Sequence, residues 1–377
     1  MGKPHLSRHF LASRASCLIS IPFAAAGQPD EAGIATTHNL LAFTGWNEDA
    51  QEHQLTLADL AVGYTANDVS DVQALNVLAS FRLPAASTAL STAQFDTNSV
   101  AVVVAAADGS LLRLRLQIPT IPGSHPESIQ LREEDFDNDY LVCWCPSVHF
   151  GPATAIDMDS KGNVLSTGAD GRICLTQMKN DARPTTTTTT ELHNSHGGIT
   201  FTQVQWTTPH TFATTSLQGV VHSWDTRTPT APVQSLSDSA SRSLASLLSL
   251  QSHPAQPHVL ATGDDHGVVA FWDLRRQGQC VTKVHAEGAI TSLTYDTTNG
   301  GAGGRDRLFI GTSKGIVGGA SAIPGSMPSA IYREPAEAAI EGLCLSTAGA
   351  ANQIFASTDQ EVLLFMANTV GDAGSFH

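Results

Sequence analysis

Four glycines, Gly171, Gly219, Gly267 and Gly315, recur at intervals of 48 residues, each between two short apolar runs. Glu361 continues the series after 46 residues, and Gly109 precedes it by 62, so that unit carries an insertion. A fixed period of this length signals a repeat architecture. The units read alike: an apolar strand ending in Ser, Thr or Gly, a tight turn, then a second short strand. The clearest copy is Val259-Leu260-Ala261-Thr262-Gly263, the turn His266-Gly267, and Val268-Val269-Ala270-Phe271-Trp272-Asp273. Phe212-Ala213-Thr214-Thr215 with Gln218-Gly219 and Trp224-Asp225 is the next, and Val164-Leu165-Ser166-Thr167-Gly168 with Asp170-Gly171 a third. Weaker copies surround Gly109, Lys314-Gly315, Gln360-Glu361 and the run 40–57.

Seven units fit the chain of 377 residues. Seven blades of about 40–45 residues need about 280–315, and the rest becomes loops. One hydrophobic core holds only about 250–300 residues, so the length asks for either two domains or a repeat array, and the period selects the repeat. The expectation is an all-β, single-domain, seven-bladed propeller over 1–377, with insertions at about 117–150 and 179–198 and a short tail at 369–377. Asp-Gly and Gln-Gly suit two-residue hairpin turns that need positive φ. Period-two alternation gives each strand a face toward a neighbouring blade, and closure removes exposed strand edges. Since the last unit ends near Phe365, a strand within 9–23 is assigned to complete the final blade.

Charged residues are only 15% of the chain, against about 25% in ordinary globular proteins. The net charge of −15 repels phosphate backbones and disfavours direct nucleic-acid binding. No apolar run reaches the roughly 18–20 residues of a membrane-spanning helix. Six cysteines include no CxxC pair, which fits reduced, packed thiols. Residues 1–29 hold Lys3, Arg8 and Arg14 with no acid, a leader-like composition. Pro22 interrupts the apolar run that follows, so a structural strand is preferred.

Several short motifs carry chemistry on paper. Gly311-Thr312-Ser313-Lys314-Gly315 matches the G-x-S-x-G elbow, but that turn needs a helix after it and here sits on the repeat period. His193 and His196, Cys143 and Cys145, and Asp264-Asp265-His266 each have fragments of ligand spacing without a full ligand set. They read as a solvated loop, thiols beside Trp144, and a turn that favours Asp. The acidic stretch 133–139 reads as a solvated loop. The stretch 184–190, Pro then six threonines, reads as a connector. No catalytic residue, metal, cofactor or small-molecule substrate is assigned.

Trp-Asp endings after Gly turns make the chain resemble the WD-repeat propellers. Gly171, Gly219, Trp224, Asp225, Gly267, Trp272 and Asp273 are then structural signature positions, with each Trp buried between blades and each Asp capping a loop. A closer likeness spans about residues 9–368. Gly168-Ala169-Asp170-Gly171-Arg172-Ile173, then 219–227, 259–278, Lys283-Val284-His285-Ala286-Glu287 and 343–365 together resemble the forty-three-kilodalton WD-repeat nucleoporins of the nuclear pore's Y-shaped outer ring. The likeness weakens around Gly318-Gly319-Ala320, where an aromatic ending is expected. It implies a non-enzymatic scaffold in the nuclear envelope's pores, beside helical nucleoporins of the short arm, supporting protein and mRNA transport. The endings Trp224-Asp225-Thr226-Arg227 and Trp272-Asp273-Leu274-Arg275 also resemble the box by which propellers dock on the cullin-4 ligase adaptor. That alternative makes Arg227 and Arg275 candidate interaction residues.

Overall fold

The computed structural model describes residues 5–11, 14–22, 35–65, 68–95, 98–119, 126–178, 188–237, 245–276, 280–296, 307–320, 329–346, 353–359 and 362–367. Gln360-Glu361, the Gly-rich 300–304 stretch and the 369–377 tail lie outside these residues.

Seven sheets follow one another along the chain. Blades three to six are four-stranded meanders in chain order. They comprise Ala153–Met158 to Thr188–Asn194, Phe201–Thr208 to Gln234–Ser237, Leu247–His253 to Cys280–His285, and Ile290–Tyr295 to Ser329–Arg333. Blade one runs Arg14–Ser20, Ala35–Asn47, Glu52–Thr65 and Asn76–Leu83, and blade two runs Ser87–Gln94, Ser99–Ala106 and Leu111–Gln117. The first strand of each blade touches the first strands of both neighbours, from Arg14–Ser20 round to Ile340–Leu345 and back. The ring is therefore closed, and the chain is a seven-bladed β-propeller.

The core is divided as this geometry requires. Seven apolar clusters lie among the described residues, one between each pair of neighbouring blades. Alternation sends adjacent residues to different clusters: Trp272 packs toward blade four and Phe271 toward blade six. Each fully buried side chain of this size contributes about 1.5–3 kcal/mol. Ala320, the residue 48 positions after Trp272, packs in the cluster that also holds Phe271 and Tyr295.

The last blade holds Ile340–Leu345, Gln353–Thr358, Val362–Ala367 and, as its outer strand, His5–Phe10. The chain start does close the ring, but not with the expected segment. Arg14–Ser20 instead forms the innermost strand of blade one, with Ala15 and Leu18 buried between blades one and seven. The reason is burial. An inner strand needs buried apolar side chains such as Ala15 and Leu18, whereas an outer strand tolerates exposed positions such as Leu6 and Phe10. Arg8 Nη2 donates to Oε1 of the buried Glu334 at 2.7 Å and ties this strand to the loop from blade six.

Two expected insertions are structural. Within 117–150, Gln130–Leu131 and Cys143–Cys145 pair with Leu111–Gln117 and finish blade two, while Tyr140–Leu141 pairs with Asn76–Leu83 of blade one. The acidic stretch is not simply solvated. Asp135 is buried and its carboxylate accepts from Arg113 and Arg115. Within 179–198, Thr188–Asn194 is the outer strand of blade three, so part of the threonine run forms a strand. Thr188, Thr189 and Thr190 are exposed and only Leu192 is buried, so β-branched threonine serves the extended backbone here rather than a core.

The turns also differ from expectation. In each, the glycine N–H closes a bond three residues back, as from Gly219 to Ser216 and Gly267 to Asp264, and only the glycine has positive φ. This is a type I turn followed by a left-handed glycine, not a two-residue primed turn. At Gly267, φ is +84 and an added Cβ would stand 2.5 Å from the Ala286 carbonyl oxygen. Gly267→Ala should cost about 1–3 kcal/mol in urea unfolding, from strain and crowding together. An unchanged midpoint would contradict this account of the period.

Asp157 joins three blades from the inner strand of blade three. Its Oδ2 accepts from Trp206 N at 2.7 Å, and its Oδ1 accepts from Ser91 Oγ at 3.5 Å. Burial pushes its carboxyl up to about 7 against these donors. The folded chain then holds a proton that the unfolded chain releases near pH 4, so stability falls as pH rises from about 4 to about 7 and is level above. Melting curves should show this slope in the wild type and a flatter one in Asp157→Asn. Parallel curves would show that Asp157 does not titrate in this window.

Candidate protein-interaction face

The two Trp-Asp endings are built identically. Trp224 and Trp272 are buried, and each ring N–H donates to a threonine hydroxyl on the neighbouring strand, Thr214 and Thr262, at 2.9 Å. Each strand begins at a glycine turn and ends at the opposite edge of its blade, so Asp225 and Asp273 share one face of the ring. There Thr226 N donates to His210 O at 2.9 Å and Leu274 N to His258 O at 2.8 Å, which fixes both loops.

Each aspartate then holds the arginine two residues on. Arg227 donates from its backbone N, Nε and Nη2 to Asp225 at 2.9, 2.9 and 2.6 Å. Arg275 repeats the pattern on Asp273 at 3.0, 2.9 and 2.8 Å. The guanidinium hydrogen bonds hold both carboxylates down at about 2. The arginine side chains remain 69% and 67% exposed. Such exposed pairs add little stability, but they fix orientation. Gln234 Nε2 donates to Arg276 O at 3.5 Å and links the two loops. The result is two planar cations on adjacent blades, with donors free to meet a carboxylate or carbonyl.

The sequence reading missed one arrangement. His149 Nε2 lies 2.9 Å from Ser166 Oγ, and its Nδ1 lies 3.3 Å from Asp170 Oδ1. These are the residue types and the order of a nucleophilic triad. Ser166 is fully buried, and Asp170 also accepts from Phe150 N and Arg172 N, so the network stitches a loop to the hairpin of blade three. Burial lowers the His149 pKa, with Asp170 opposing. The one sequence signal was that His149 stands four residues before Ala153, much as His285 stands five before Ile290.

The other motifs do not converge. His193 belongs to a strand and lies 4.7 Å from the Trp224 ring, while His196 sits in the following turn. Cys143 and Cys145 are separated by a register shift, and burial raises the Cys143 pKa. All six thiols are free. Asp264, Asp265 and His266 lie close enough to share an ion, yet Asp264 Oδ1 accepts from His266 N and Val268 N at 3.0 and 2.7 Å. Residues 311–315 form a hairpin turn with a strand after it, not a helix.

No protein-family model matches this chain, and no curated protein matches it. The propeller and its Trp-Asp endings fit a WD-type protein-interaction platform.

Proposed function

We propose that this protein is a non-enzymatic docking scaffold and, more specifically, a peripheral subunit of the nuclear pore's outer ring beside a helical nucleoporin. The closed ring carries the scaffold reading: seven interblade cores fix the loops at both faces, so a partner meets a preorganised surface. The ordered motifs at 168–173, 219–227, 259–278 and 283–287 support the pore assignment. A tagged chain should stain the nuclear rim and co-purify with outer-ring subunits in stable proportion. Diffuse staining, with none of those subunits recovered, would remove the pore assignment.

The exposed Arg227 and Arg275 forks favour a second reading, a substrate receptor of a cullin-4 RING ubiquitin ligase. Under it, the double change to alanine abolishes adaptor capture and spares recovery of pore subunits. Retained adaptor capture would exclude these arginines as the contact.

A further inference from the structure

The rim between blades one and two carries a cleft that neither reading uses. Its volume is about 280 Å³, and its walls include Leu57, Leu78, Ala79, Ile129 and Leu131. Sites for drug-sized ligands span about 300–1,000 Å³, so this cleft suits one or two side chains. One wall is the outer strand of blade one, Asn76–Leu83. Arg82 N donates outward to Asp139 O at 2.6 Å, and Tyr140–Leu141 pairs with this strand only at Arg82. Strand alternation turns the Ser80 N–H and C=O to the same side, where no strand pairs with them among the described residues. Val77, at the cleft, is 55% exposed.

The surroundings are acidic. Glu127, Glu133, Asp137 and Asp139 are exposed between residues 126 and 140, where Arg132 is the one exposed cation. Asp59, across from the cleft residue Asn76, is buried and bonded through Oδ2 to His38 Nδ1 at 2.7 Å, so the acidic character comes from the exposed carboxylates.

We propose that this edge and cleft bind an extended, basic–apolar segment of a partner protein as an added strand. Its backbone continues the pairing that Tyr140–Leu141 begins, an apolar side chain enters the cleft, and flanking Lys or Arg residues meet the acidic rim. The inference rests on the docking-platform reading but on neither proposed assembly.

A phage-displayed library of random peptides of about a dozen residues, selected on the full chain and counter-selected on Val77→Lys, tests it. The expected consensus alternates apolar residues with Lys or Arg. Synthetic copies should lose at least about tenfold in affinity to Val77→Lys, to Ala79→Trp, and on backbone N-methylation. Val77 is exposed, so its change leaves the fold intact, and matching melting curves check this. No enrichment, an acidic consensus, or binding indifferent to these changes would overturn the proposal. So would a concentration-dependent dimer of the chain that Val77→Lys dissolves, since a second copy would then own the edge. Failure here leaves the rim-staining and adaptor experiments unaffected.

Discussion

Asp135→Ala should be the most damaging single change in this protein. The Asp135 carboxylate accepts from Arg113 Nε and Nη2 at 3.3 and 3.0 Å, and from Arg115 N, Nε and Nη2 at 2.8, 2.9 and 2.9 Å. The three side chains are 2%, 6% and 8% exposed. Removing the anion leaves Arg113 with no carboxylate and Arg115 with only the partly exposed Glu134, and breaking a buried pair costs about 3–5 kcal/mol. Burial already lowers the Arg113 pKa even with its partner present. Melting should drop by roughly 4–6 °C. The cost belongs to stranded charge, not to a valuable bond. Asp135→Leu with Arg113→Met and Arg115→Met should therefore recover most of the loss. A fall below about 1 kcal/mol for the alanine variant would mean that water reaches the cluster.

Deleting residues 1–10 should have the second largest effect. The deletion strips the partner from Val362–Ala367, uncovers an edge beside the buried Leu363, Leu364 and Phe365, and leaves the buried Glu334 without Arg8. An unpaired apolar edge invites association with other chains. The truncated protein should unfold at much lower urea and sediment as oligomers. A synthetic peptide of residues 1–13, added in excess, should restore a monomer through strand pairing. A truncated chain that stays monomeric, with an unchanged urea midpoint, would show that the seam holds without this strand.

The repeating core was legible because its rules are local. A glycine every 48 residues, an alternating strand on each side and a terminal Trp-Asp specify strand, turn and strand without knowledge of any neighbour. The outer strands were harder. Thr188–Asn194 buries only Leu192 and residues 6–10 bury no side chain, so neither strand stands out from loop sequence. Long-range polar contacts were the least readable. Asp135 meets Arg115 across 20 positions, and Arg8 meets Glu334 across 326, with no periodicity to announce either. The forks of Arg227 and Arg275 were visible because each forms within three consecutive residues.

The strand His5–Phe10 completes a sheet whose other members follow the six other blades along the chain. At about 5–20 residues per second, a ribosome releases those members many seconds after the opening segment has emerged. That segment must wait without its mate while the intervening blades stack in order. Its central Ser7-Arg8-His9, poor for an interior position, leaves such a waiting ribbon only two large apolar side chains, Leu6 and Phe10. The join therefore cannot form before residues 362–367 have been made, and a nascent chain stalled ahead of them leaves His5–Phe10 without the strand it pairs with.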